Sequence, residues 1–237
     1  AEINNQLIAL VERLHSLHEI DLSRSHYSDG VQKLLNSFRE SGAVATSGTL
    51  ADQIETNPEY EQLFESFLNQ KLEYVLVDSM REARVGLDRA LEMKGGRCSF
   101  LTLHSDNGFG KEMDPDKLPS AESEGVIGTL TQLLKMDPDI ESAFRRVLPE
   151  AANAVVVSNL ERAFHLAHSY PDSTFLTLDG ATLTPRGLLT ANVSDTRKLG
   201  LLTLKRKTKD VEERIEADQR KQNRLEKRLG SRTKELK

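Results

Sequence analysis

The feature that most restricts this chain is a heptad pattern at each of its two ends. In the first 38 residues one register puts Ile3, Leu10, Leu17, Arg24, Val31 and Phe38 at d and Leu7, Leu14, Asp21, Ser28 and Leu35 at a. From Leu201 onward, Leu201, Thr208, Ile215, Gln222, Leu229 and Leu236 fall at a, with Leu204, Val211, Asp218, Leu225 and Arg232 at d. Both read as helices with one apolar stripe. Neither stripe is stable exposed to water on a lone helix, so the two are expected to pair antiparallel within the chain as a coiled coil. At about 1.5 Å per residue each arm would reach roughly 55 Å. The arms are placed at 1–40 and 198–237, with a weakened stretch between Asp21 and Gly30 where the seam turns polar.

Between the arms the sequence repeats itself with an offset of 80. Phe64 matches Phe144, Leu68 matches Leu148, Val75 and Val77 match Val155 and Val157, Met80 matches Leu160, and Ala83 matches Ala163. Each copy reads as a helix, an apolar strand, a helix opened by a capping residue, and a second strand. The second strands, Ser99 to Leu103 and Thr174 to Leu178, are nearly the same words. The expected fold is α/β, with two similar subdomains at 41–103 and 125–197. The polar run 104–124 between them reads as a surface loop without a core.

Charge divides the chain unevenly. Arg197 to Lys237 hold 15 Lys and Arg against 7 Asp and Glu, whereas residues 1–196 hold 17 against 30. Five cations, Lys198, Lys205, Arg206, Lys207 and Lys209, crowd the start of the second arm. Such a cluster binds a polyanion by counterion release without reading sequence, although a solvated coil face is equally rich in lysine. No aromatic set interleaves with it, so base stacking is not indicated. The single cysteine, Cys98, excludes an internal disulfide and suits a reducing compartment. No apolar run approaches the roughly 18 residues of a membrane span, and no membrane partner is expected.

No constellation supports catalysis. Gly108 to Glu112 has the wrong spacing for a phosphate-binding loop and ends in an acid. His15 with His18, and His165 with His168, lack further ligands for a metal. Ser105, His104 and Asp106 are adjacent and cannot orient one another as a triad. Cys98 reads as a small apolar side chain more readily than as a reactive thiol. Four glycines remain: Gly125, Gly128, Gly180 and Gly187 suit either turns or close backbone approach at a subunit interface.

A family resemblance rests on Gly48-Thr49-Leu50-Ala51-Asp52-Gln53-Ile54, on Tyr60-Glu61, and on Gly96-Arg97-Cys98-Ser99-Phe100-Leu101-Thr102-Leu103. It continues through Gly125-Val126-Ile127-Gly128 and Leu178-Asp179-Gly180 to Gly187. In that order the chain resembles the hinge of structural maintenance of chromosomes (SMC) proteins, most of all the bacterial chromosome-condensing homodimer. The resemblance implies a hinge that pairs with a second copy, with Gly125, Gly128, Gly180, Gly187, Ala191 and Asn192 near the contact. It also implies double-stranded DNA as a partner at the coil junction, and a cytoplasmic, nucleoid-associated setting. An ATPase head and a kleisin partner would lie beyond the arms, so the fragment itself is expected to carry no cofactor, metal or enzymatic activity. Where the family pattern has a Gly pair, this chain has Ala191 and Asn192, whose side chains would oppose close packing. Two alternatives accompany this reading: an element acting mainly on DNA, and a coil module that pairs with a different protein.

Overall fold

A computed structural model of the chain describes residues 2–23, 27–42, 44–94, 96–104, 118–120, 123–191 and 200–235. It divides into two compact units, residues 1–26 with 203–237 and residues 27–202. Helix α1 (Glu2–Ser23) ends where the seam turns polar, and α2 (Asp29–Ser41) begins after it. The division falls at Tyr27 rather than near residue 40. The reason is packing: Val31, Leu34, Leu35 and Phe38 of α2 are buried in the main core of the second unit.

That unit is built twice. The first half runs β1 (Thr46–Thr49), α3 (Leu50–Gln53), β2 (Glu55–Thr56), α4 (Pro58–Leu68), a 3-10 turn, β3 (Val75–Val77), α5 (Met80–Glu92) and β4 (Phe100–Thr102). The second runs β5 (Val126–Thr129), α6 (Leu130–Leu133), β6 (Leu134–Lys135), α7 (Pro138–Val147), α8 (Pro149–Ala152), β7 (Ala154–Val157), α9 (Leu160–Ser169) and β8 (Thr174–Thr177). It then adds β9 (Ala181–Leu183) and β10 (Leu189–Ala191).

The offset of 80 holds at the level of strand register. Thr46 pairs with Val77 and Thr49 with Val75; Val126 pairs with Val157 and Thr129 with Val155. Local chemistry repeats as well. Thr49 and Asp52 close a capping box at α3, as Thr129 and Gln132 do at α6, and Pro58 and Pro138 stand in the first turns of α4 and α7. Each proline has a preset φ and no N–H to lose there.

The halves meet through β2 and β6, antiparallel, with Glu55 opposite Lys135 and Thr56 opposite Leu134. Their apolar residues merge into one core that holds Phe64, Leu68 and Leu101 with Phe144, Leu148 and Leu176. A second, smaller core lies under α9 and joins Val155, Val157, Ala163, Leu166, Phe175 and Leu183. Most of the run 104–124 falls outside the described residues. At its described end Leu118 packs against this second core and Pro119 is buried, a contribution the polar composition of the run conceals.

The other unit pairs α1 with the helix α10 (Leu201–Glu235), whose residues from Thr203 onward belong to it. The two form the antiparallel coiled coil that the heptads require. Between residues 6 and 17 of α1 only Leu7, Leu10, Leu14 and Leu17 are withdrawn from solvent, and these are the seam positions. On α10, Leu204, Val211 and Ile215 are buried and Asp218 and Gln222 half-buried. Leu225, expected at d, is 46% exposed, so the seam is not continued there.

Candidate functional site

The two halves differ most at one strand edge. In the second half the sheet runs β10-β9-β8-β7-β5, whereas in the first it runs only β1-β3-β4. Strand β8 is covered by β9, but β4, its counterpart, has no neighbour beyond it among the described residues. Among the described residues these two sheets therefore leave four edges, at β1, β4, β5 and β10. The ladders of β1 and β5 carry register shifts, which distort an edge against further pairing. Those of β4 and β10 are regular.

The hydrogen bonds show which main-chain groups these two edges present. Val75 N–H donates to Ser99 O and Leu103 N–H to Val77 O, so residues 99, 101 and 103 face β3. The N–H and C=O groups of Phe100 and Thr102 point outward. In the β9–β10 hairpin Thr184 N–H donates to Leu188 O, and Thr182 stands opposite Thr190 two steps along. Antiparallel pairs alternate, so Leu189 and Ala191 present their main-chain groups outward. The hairpin loop Thr184-Pro185-Arg186-Gly187 closes with Gly187 N–H on Thr184 O and Gly187 at φ +77°, a conformation that favours glycine.

The end of β4 is held from the other half of the unit. Arg146 of α7 donates from Nη2 to Thr102 O at 2.7 Å and to Leu103 O at 3.0 Å. No motif marks Arg146, because its acceptors are main-chain carbonyls of the other half. The equivalent position in the first half is Ser66, and there β8 has β9 beside it instead.

The glycines singled out in the sequence do not form one patch. Gly187 and Ala191 lie on the β9–β10 hairpin and Gly180 in the turn between β8 and β9, while Gly125 and Gly128 lie at β5, on the far side of β7. Gly128 is buried, and a Cβ there would lie 3.4 Å from Leu133 of α6, an ordinary van der Waals contact within the chain. Asn192 lies outside the described residues.

Of the five cations, Lys198 is also outside the described residues. Lys205, Arg206 and Lys207 are half-buried in the first turns of α10, and Lys209 is exposed. Arg206 pairs with Asp210 at 3.2 Å. Of the second histidine pair, His165 has Arg162 Nη1 3.5 Å from its Nδ1, and His168 Nδ1 lies 2.9 Å from Phe164 O in the same helix. No group of three or more metal-ligating side chains converges among the described residues. Cys98 is half-buried, and burial together with the nearby Glu73 carboxylate pushes its thiol above the usual range.

Residues 44–167, more than half of the sequence, match the family described as SMC proteins Flexible Hinge Domain. The chain belongs to the SMC hinge family. The hinge is 25% identical over 203 residues to the chromosome partition protein Smc of Halothermothrix orenii, covering 85% of this chain and 16% of that protein. It is 28% identical over 181 residues to the same-named protein of Methanocaldococcus jannaschii, covering 76% of this chain and 14% of the relative. The chain thus spans about a sixth of the length of these relatives. The hinge fold also matches the crystal structure of an asymmetric dimer of the Geobacillus stearothermophilus SMC hinge domain. That match has a TM-score of 0.77 at 21% identity and covers 99% of this chain and 92% of that one.

Proposed function

We propose that this hinge joins two copies of its chain into a homodimer by mutual strand addition, β10 of each copy pairing with β4 of the other. The observation that carries the reading is the match between the two open edges. Each offers two outward residues, Phe100 and Thr102 on one, where the Thr102 carbonyl also accepts from Arg146, and Leu189 and Ala191 on the other. The side chains of these residues lie on the helix-covered side of their sheets: Phe100 meets α5 at Gly86, and Leu189 stands opposite Leu183, a member of the core under α9. Joined edge to edge, the two sheets would continue with helices on one face, and two copies would use both edges twice and close. The solved dimer of a relative with this fold supports the reading.

The test is solution mass over a concentration series, with Ala191→Pro as the variant, since proline removes one outward N–H and leaves the β9 ladder untouched. The expected result is twice 26.5 kDa for the native chain and a folded monomer for the variant. A native monomer at every concentration, or an unchanged variant dimer, overturns the proposal.

In a full-length protein such a hinge would connect two long arms within a chromosome partition complex at the nucleoid. ATP hydrolysis and a kleisin contact would belong to segments outside this chain. A second reading, contact with double-stranded DNA, is favoured by the spacing of Lys205, Arg206, Lys207 and Lys209 within about two helical turns of an otherwise acidic chain. Replacing the four with Glu should abolish duplex binding and flatten its salt dependence; an unchanged salt slope would return the cluster to the role of a solvated coil face.

A further inference from the structure

Comparison of the two halves picks out an apolar stripe on α5. On α9 the stem of Arg162 lies against Gly125, just ahead of β5, so that flank of the helix faces the β5 side. At 100° per residue the opposite flank carries Leu160 and Ala167, and α9 packs there over β8 and β9. Both residues are half-buried against the core that contains Leu183 of β9. Eighty residues earlier the same flank of α5 carries Met80 and Leu87, with Leu91 one turn on. They are 51%, 47% and 68% exposed. The far flank of α5 is occupied by α2, where Arg89 Nε donates to Ser37 Oγ at 2.9 Å. The stripe therefore overhangs the open side of β4, where a strand equivalent to β9 is missing.

We infer that the stripe Met80, Leu87 and Leu91 is a seat for Leu189 of a second copy of this chain, so that apolar packing between α5 and the incoming β10 accompanies the strand pairing. The inference rests on the dimer reading and adds to it a side-chain contact. Leu189 is 47% exposed and lies on the same face of β10 as Leu183 does on β9. Added beside β4, its side chain would project toward α5, as that of Leu183 projects toward α9. The stripe requires an apolar occupant on a strand whose outward groups are in phase with Phe100 and Thr102, and β10 meets both conditions. A row of exposed leucine and methionine flanking an unpaired edge is otherwise an aggregation hazard in a chain of this kind.

The experiment uses the full chain and three variants, Leu87→Glu, Leu189→Lys and the double variant, with sedimentation equilibrium as the readout and far-UV circular dichroism as the check on folding. Both positions are exposed on the isolated chain, so each single variant should fold. Each should weaken dimerisation by at least tenfold, because a charge would be buried against an apolar partner. The double variant should recover most of the loss, since glutamate and lysine would then face each other. Single variants that dimerise like the native chain would overturn the seat while leaving the strand pairing intact. Weakened single variants with no recovery in the double variant would overturn the direct contact between these two positions. A native chain that stays monomeric would instead remove the dimer reading on which the seat depends.

Discussion

At Gly86 a helix interior has no methyl group for a reason that lies outside the helix. A Cβ there would lie 2.6 Å from Phe100 Cε1 and 3.2 Å from Phe38 Cζ, so α2, α5 and the edge strand β4 converge on one atom's worth of space. On helix propensity alone, Gly86→Ala should gain about 1 kcal/mol. Overpacking a filled site costs about 1–3 kcal/mol. The second effect wins because the neighbours are aromatic rings in contact with the core rather than flexible chain ends. Urea unfolding should show a net loss of roughly 1 kcal/mol, and Phe38→Leu in the same chain should return part of it. A net gain in stability would mean that the rings move aside freely. Cys98 titrates in a direction that can also be tested. Its thiol is raised first by burial and then by Glu73, so the folded chain holds that proton at pH values where the unfolded chain has released it. Stability from this group is therefore complete below the ordinary thiol pKa and is lost as pH rises through the raised one. Alkylation by a neutral reagent should be slow at pH 8 relative to a small-molecule thiol and should accelerate only at more alkaline pH. A rate at pH 8 equal to that of the free thiol would contradict the burial.

Two elements are held at their ends by side chains from far along the chain. The N–H of Leu202, in the first turn of α10, donates to Glu65 Oε1 on α4, so a carboxylate 137 residues away caps that helix. A lost cap costs about 1 kcal/mol. Glu65→Ala should reduce stability by that order and speed amide exchange at Leu202 and the next residues of α10, while the β3 amides stay protected. Uniform acceleration across the whole unit would show global loosening instead of a cap. Arg146→Met should cost about 1.5 kcal/mol, the low end for hydrogen bonds from a charged donor, because the guanidinium is only half-buried. Thermal unfolding would measure it, and no change in midpoint would mean that water replaces both carbonyl contacts without loss. Elements of this kind also show where sequence reading stops. Strands β3, β4, β7 and β8 were visible as repeated apolar words, and the capping residues around them as local chemistry. The place of α2 was not, because Val31, Leu35 and Phe38 continue the register of α1. Periodicity reports an apolar face and says nothing about what covers it. Arg146 and Glu65 were invisible for the opposite reason: each acts on main-chain groups of another element, which leave no trace in residue spacing.

At the scale of the whole molecule, the unequal halves decide how many copies can join. A chain with one acceptor edge, β4, and one donor edge, β10, could in principle add copies without limit, because each addition leaves one edge of each kind at the ends. Closure after two copies requires that the second pairing form within the complex already made, where the effective concentration of the partner edge is high. The internal duplication favours this outcome, since β2 and β6 already relate the two halves antiparallel about Glu55 and Lys135. A mixing experiment separates closure from open addition. Thr102→Pro removes an outward N–H from β4, and Ala191→Pro removes one from β10, so each variant alone lacks one partner of every possible pairing and should be monomeric. Mixed in equal amounts, they retain one intact β4 and one intact β10 between them. They should form a heterodimer held by a single junction, weaker than the native dimer by at least a hundredfold, because the intramolecular second pairing is gone. Native chains should show no mass above the dimer at any concentration. A mixture as tight as the native chain would mean that one junction carries all of the affinity. Native species that grow beyond two copies would mean that the edges pair without closing.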